Sequence, residues 1–219
     1  MRPGAAVARL ASANPVHAAV WAAVVASFTC VGIARGDARL WPYLTVVLVC
    51  TGVTALVDRG VGFSSGALWL LVLIGTLHLA GGLAPDPTGA GVLYGMWLLP
   101  GALRFDQLVH AVGSVAATVT AWQLLGTWLS PATPPRVQAW LAALAGLGKG
   151  AVNEIVEFLI AIRVRGTFVG GFENTGWDLV FDAVGVVGAG VFLVASHAPR
   201  RPVRDARPLT EPVSLVSSW

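Results

Sequence analysis

Charge is what this sequence has least of. Only 11% of its 219 residues are Asp, Glu, Lys or Arg, against about 25% in an ordinary soluble domain. So few charges cannot cover a water-facing surface, which excludes a soluble globular protein. Intrinsic disorder is excluded as well, because it requires low hydrophobicity, and 56% of this chain is hydrophobic at a mean hydropathy of +0.74. Lysine is almost missing: thirteen arginines and the single Lys149 stand against eleven acids, for a net charge of +3. That excess is too small and too dispersed for a nucleic-acid partner. Cysteine is reduced to Cys30 and Cys50, both in apolar stretches where a free thiol acts as a small hydrophobe. A phosphate-binding glycine loop, a His-Glu-x-x-His zinc helix and a Gly-x-Ser-x-Gly elbow are also lacking. A polytopic membrane protein remains.

A membrane helix needs about 20 mostly apolar residues. Six segments qualify, at 17–34, 40–57, 66–84, 106–129, 137–162 and 177–196. The expected fold class is all-α, a polytopic membrane helical bundle with six transmembrane helices. Arg2 and Arg9 precede the first apolar run as in a signal peptide, but no small-residue cleavage site follows, so the run reads as an uncleaved helix. The stretch from Pro85 to Arg104 is broken by Pro87, Gly89, Gly91, Gly95, Pro100 and Gly101. It is too interrupted for a span and too apolar for a free loop, and it reads as a re-entrant or interfacial segment between helices three and four. Residues 1–199 form a single six-helix domain, and 200–219 a basic, disordered tail.

Six spans put both termini on one side. With cytoplasmic termini the inner side carries Arg2, Arg9, Arg59, Arg136 and four tail arginines, and the outer side Arg35, Arg39, Arg104, Arg163 and Arg165. The positive-inside rule favours that orientation, although the excess rests on the tails and the short loops lean the other way.

The scarce charges are unevenly placed. Helix four opens with Arg104-Phe-Asp106-Gln-Leu-Val-His110, helix five carries Asn153-Glu154-Ile-Val-Glu157, and helix six opens with Trp177-Asp178-Leu-Val-Phe-Asp182. Residues three or four apart share a helix face. His78 lies in the second half of helix three. Counting spans brings all seven of these residues into one leaflet, whichever side that is. Five carboxylates and two imidazoles there repel one another and are costly to desolvate. Bound cations, partial protonation, or pairing with Lys149, Arg104, Arg163 and Arg165 are the available compensations. Taken singly, each residue has a structural explanation: a helix-start acid for Asp178, a hydrogen bond for His110, an interfacial pair for Glu157 and Arg163. Together they mark a functional site, as intramembrane ionisable residues do by default. Gly185, Gly188 and Ala189 are expected to allow close helix packing.

The order of these pieces resembles the YjdF-like family of small bacterial inner-membrane proteins. The likeness runs over roughly 75–190 and is carried by Leu77-His78 with Gly81-Gly82, by the helix-four and helix-five motifs, and by Trp177-Asp178-Leu-Val-Phe-Asp182-Ala-Val-Gly185. VanZ-like envelope proteins are similar at a greater distance. Ala111 departs from the aromatic that often follows the helix-four histidine. The resemblance implies a multi-pass bacterial inner-membrane protein of the cell envelope and supplies no reaction.

Three functions compete. In the first, His78, Asp106, His110, Glu154, Glu157, Asp178 and Asp182 hold zinc, manganese or iron, and one or two such ions activate water and polarise a phosphoryl or acyl oxygen. Glu154 or Glu157, where free of metal, serves as general base, with Lys149 a further catalytic candidate. Arg104, Arg163 and Arg165 hold an anionic lipid or polyprenyl-phosphate headgroup, so the partners are membrane lipid and a lipid-linked substrate. In the second, the same residues pass a cation or proton, which suits a titratable Lys149. Internal repeats usual in transporters are not evident, so a homo-oligomer would have to supply them. In the third, the cluster only locks the bundle of an accessory protein.

Overall fold

The computed structural model describes residues 3–89, 91–163 and 171–197. Among them are seven helices: α1 (Pro3–Ala13), α2 (Pro15–Arg35), α3 (Leu40–Val61), α4 (Ser65–Leu83), α5 (Phe105–Trp128), α6 (Pro135–Ala161) and α7 (Phe172–His197). The stops follow local chemistry. Gly36 and Gly62 take positive φ behind α2 and α3, a conformation open to glycine at little cost. Ser64 accepts from the Ala67 amide to start α4, and a proline opens α6. Between α2 and α3, Arg39 Nη2 lies 2.7 Å from Asp37 Oδ2, and this hydrogen-bonded guanidinium lowers the Asp37 carboxyl below its ordinary pKa.

Helices α2, α3, α4, α5 and α7 are each long and apolar enough to cross a membrane. The protein is an all-α membrane helical bundle with several such helices. The sixth expected span corresponds to α6, which at 27 residues is the longest helix. Lys149, Asn153, Glu154 and Glu157 keep its hydropathy below that of the other five. The short α1, not foreseen from the sequence, packs against α3 and buries Ala6 completely. The tail from 200 to 219 lies outside the described residues.

The segment after α4, expected to be re-entrant or interfacial, folds into a small hairpin structure. Pro85 bridges to Val92, a 3₁₀ turn covers Leu93–Gly95, and strands β1 (Trp97–Leu99) and β2 (Leu103–Arg104) pair antiparallel with Trp97 opposite Arg104. Gly101, at φ 72°, makes the tight turn. The hairpin sits where α4 ends and α5 begins.

Helix α5 is the hub, packing against α4, α6 and α7. Its contacts with α6 and α7 are close because glycine faces it. A Cβ on Gly146 would meet Thr118 and sit 3.4 Å from the Ser114 carbonyl, and one on Gly185 would run into the Ala111 carbonyl. Gly150 leaves room for the Asp182 carboxylate on α7. Of the expected packing residues, Gly185 serves this contact and Ala189 is buried. Gly188 faces open space, because it lies on another side of α7. Gly185→Val should therefore force α7 off α5 and lower stability by about 1–3 kcal/mol, seen as a lower melting temperature of the solubilised protein. Apolar contacts close the ends: Leu40, Leu44, Val47, Leu79 and Leu83 on α3 and α4, and Trp122, Ala139, Ala142 and Leu193 where α5, α6 and α7 meet.

Candidate metal centre

Three helices bring their polar residues together around one imidazole. Asp106, His110, Ser114 and Thr118 recur every four residues and run down one face of α5. With a rise of about 1.5 Å per residue, His110 lies one turn and Ser114 two turns beyond Asp106. Glu154 enters from the last third of α6, and Asp178 and Asp182 from the first half of α7. His110, Glu154, Asp178 and Asp182 are buried; Asp106 and Glu157 are half-buried.

The two imidazole nitrogens have different surroundings. His110 Nδ1 is 3.3 Å from Asp182 Oδ2, and the other oxygen of Asp182 accepts a 2.5 Å hydrogen bond from Ser114 Oγ. A carboxylate can only accept, so Nδ1 carries the hydrogen and donates it. In the neutral ring Nε2 then presents a lone pair. Around Nε2 lie Glu154 Oε1 at 3.6 Å, Asp106 Oδ1 at 3.8 Å and Asp178 Oδ2 at 4.0 Å. These separations are too long for hydrogen bonds. They are close to the roughly 3.4 Å between two ligand atoms that each sit about 2.1 Å from a tetrahedral ion.

The cluster is short of donors. Both oxygens of Glu154 and Oδ1 of Asp178 are buried without a hydrogen-bond partner among the described residues. Asn174 Nδ2 donates to Asp106 Oδ2 at 3.3 Å and to Asp178 Oδ2. Its Oδ1 accepts from Arg104 Nη1 at 3.3 Å, which fixes which way the amide faces. Glu157 is held by Asn153 Nδ2 at 2.7 Å. Two sets of side chains have ligand atoms within 4.8 Å of one another: Asp106, His110 and Asp178, and His110, Glu154 and Glu157. They share His110. Acceptors converging on a lone pair suit a cation, and the nitrogen–oxygen set suits a first-row divalent metal.

The other expected residues lie apart from this point. His78 is on α4, with Nδ1 2.7 Å from the Tyr94 hydroxyl and its ring 4.9 Å from that of Tyr43. Gly81 and Gly82 make this possible, since a Cβ on either would meet the Tyr94 or the Tyr43 ring. The His-x-x-Gly-Gly spacing thus seats two tyrosines around His78 and ties the capping hairpin to α4. Tyr94→Phe should remove that tie at about 1 kcal/mol, measurable as a lower melting temperature with unchanged metal content. Lys149 lies on the α6 stripe that holds Asn153 and Glu157, its Nζ 3.1 Å from the place a Gly113 Cβ would take, and makes no ion pair among the described residues. Arg163 is exposed just beyond α6, and Arg165 lies outside the described residues.

Above the cluster is a cavity of about 640 Å³ whose walls include Trp97, Arg104, Asp106, Asn174 and Trp177. The Arg104 guanidinium lies over the Trp97 ring, 4.6 Å from its centroid, and the Arg104 amide donates to Gln107 Oε1 at 2.8 Å, starting α5. Sequence reasoning missed Ser114 and Asn174, and quoted Asn153 in the helix-five motif without giving it a role. All three continue an i, i+4 ladder with a recognised residue: His110 with Ser114, Asn174 with Asp178, Asn153 with Glu157.

A family model described as "Predicted membrane protein (DUF2238)" matches residues 16–199, a stretch that contains every residue of the cluster. No curated protein and no solved structure matches the chain.

Proposed function

The chain belongs to the DUF2238 family of predicted membrane proteins, and from that premise we propose that it is a metal-dependent hydrolase or transferase acting on lipid headgroups within one leaflet. One observation carries this: Glu154, 6% exposed, has both carboxylate oxygens without a hydrogen-bond partner among the described residues while facing His110 Nε2. A buried, unpaired carboxylate is among the costliest groups in a fold, and a bound cation removes that cost. In this proposal His110, Asp106, Asp178 and Glu154 hold zinc, manganese or iron. Glu157, kept in place by Asn153, is the general base. Asp182, supported by Ser114, accepts the His110 Nδ1 hydrogen and so orients the ring, as carboxylates behind metal-bound histidines do. The ion would supply Lewis acidity and a more acidic water. His78 is assigned to anchoring the hairpin, and Lys149 is left out of the chemistry.

The proposal also takes α6 as a sixth span, the hairpin as an interfacial cap, and the protein as a YjdF-like member of the bacterial inner membrane with cytoplasmic termini. The centre then faces outward. Elemental analysis of the purified chain should find bound divalent metal, and chelation should remove it together with headgroup turnover. A chain purified free of metal whose melting temperature does not respond to added metal or chelator overturns the proposal. A second reading, cation or proton transport, is favoured by the stripe of Lys149, Asn153 and Glu157 along α6. It is removed if proteoliposomes under an ion or proton gradient show no flux.

A further inference from the structure

The cavity beside the cluster has its own chemistry. Its volume of about 640 Å³ falls within the range of roughly 300–1,000 Å³ usual for small-ligand sites. One wall is cationic: Arg104, held over the Trp97 ring and hydrogen-bonded through Nη1 to Asn174. Its Nε is buried without a partner among the described residues, so this pre-positioned guanidinium has donor capacity to spare. The floor leads through Asn174 to Asp106 and Asp178. The rim is aromatic and apolar, with Trp97 and Trp177 at 44% and 50% exposure and, close by in sequence, Leu99 and Phe172 at 58% and 97%. Half-exposed tryptophans are typical of the membrane–water boundary. Two carboxylates, Asp106 and the exposed Glu173, also face the cavity, so an anion there depends on the guanidinium, and a cation on the cluster would strengthen its hold.

We propose that this cavity is the seat of a phosphate-bearing lipid headgroup, with the phosphate between Arg104 and the cluster and the acyl chains leaving past Trp97 and Trp177. The assignment rests on the metal reading above and gives it a substrate class. A guanidinium matches two phosphate oxygens at once, which an uncharged sugar or acylglycerol headgroup would not use. The tryptophan rim favours a phosphate carried by a lipid over free phosphate.

The test uses the full chain in phosphatidylcholine nanodiscs containing a minor fraction of phosphatidic acid. Retained lipid is counted by native mass spectrometry, with and without added Mn²⁺, and metal content is measured on the same samples. The wild type should retain phosphatidic acid about tenfold over diacylglycerol, and Arg104→Gln should lose about that factor while keeping its metal. Arg104→Lys should lie between them. Trp177→Ala, a change at an exposed rim position, should weaken retention of the lipid and leave competition by inorganic phosphate unchanged. Equal retention by wild type, Arg104→Lys and Arg104→Gln overturns the proposal. So does inorganic phosphate competing as well as the lipid together with no effect of Trp177→Ala, which would make the cavity a free-phosphate site. Should Arg104→Gln fail to fold, Arg104→Lys and Trp177→Ala decide the matter. Arg104-dependent retention in a protein that never binds metal would remove the metal centre and leave the headgroup site standing. Metal binding without Arg104-dependent retention would do the reverse.

Discussion

Glu154→Gln is expected to weaken divalent-metal binding more than about a hundredfold, beyond the roughly 10–100-fold typical of changing a residue that only orients a ligand, and at the same time to stabilise the metal-free protein. The two effects have one cause. Glu154 faces His110 Nε2 at 3.6 Å and is buried with neither oxygen hydrogen-bonded among the described residues. With a cation present it is a ligand; without one it is an uncompensated buried charge. A neutral amide of the same shape removes the ligand and also the uncompensated charge. The gain in the metal-free state should be about 1–3 kcal/mol, read as a higher melting temperature after exhaustive chelation. A purely structural cluster predicts the opposite sign, because the substitution would then break a useful pairing with His110. Metal titration and thermal melting of wild type and variant, each with and without chelator, separate the two. Unchanged metal affinity would remove Glu154 from the centre.

Asp182→Asn is the second large effect. Asp182 has both oxygens committed, one toward His110 Nδ1 and one to Ser114 Oγ. As a carboxylate it accepts the Nδ1 hydrogen and leaves Nε2 bare. An asparagine can turn its NH₂ toward Nδ1, which moves the ring hydrogen to Nε2 and blocks the lone pair. Metal affinity should fall about 10–100-fold, with little change in fold, since volume is conserved. Ser114→Ala removes only the support of Asp182 and should have a smaller effect in the same direction. Competition titration against a metal indicator measures both. Equal affinity in Asp182→Asn and wild type would deny Asp182 its orienting role.

Much of this was legible in the sequence. Low charge and long apolar runs required a membrane bundle, and the helix bounds fell within a few residues except at α7, which begins at Phe172 and not at 177. That early start hid Asn174: as a loop residue it shared no face with Asp178, whereas one turn earlier on the same helix it does. Ser114 was passed over because a lone serine in an apolar helix carries no signal until its neighbour at i−4 is known to be buried. The pairing of the hairpin was not legible because proline and glycine mark interruption without saying what the interrupted chain pairs with.

The sequence by itself determined the membrane class, the helical elements and the end of the bundle at which the acids and histidines gather. Span counting and a spacing of four residues suffice for that, because both act along a single helix. Only the tertiary structure decided which of them meet. Spacing says nothing about how one helix is rotated against the next. Here that rotation is set by Gly146, Gly150 and Gly185, which let α5, α6 and α7 close until Asp182 lies behind His110 and Glu154 in front of it. On α4, Gly81 and Gly82 admit two tyrosine rings that hold His78 apart. Seven residues expected in one leaflet became a centre around His110 and a separate anchor at His78, because contact distance depends on the packing of small residues between helices.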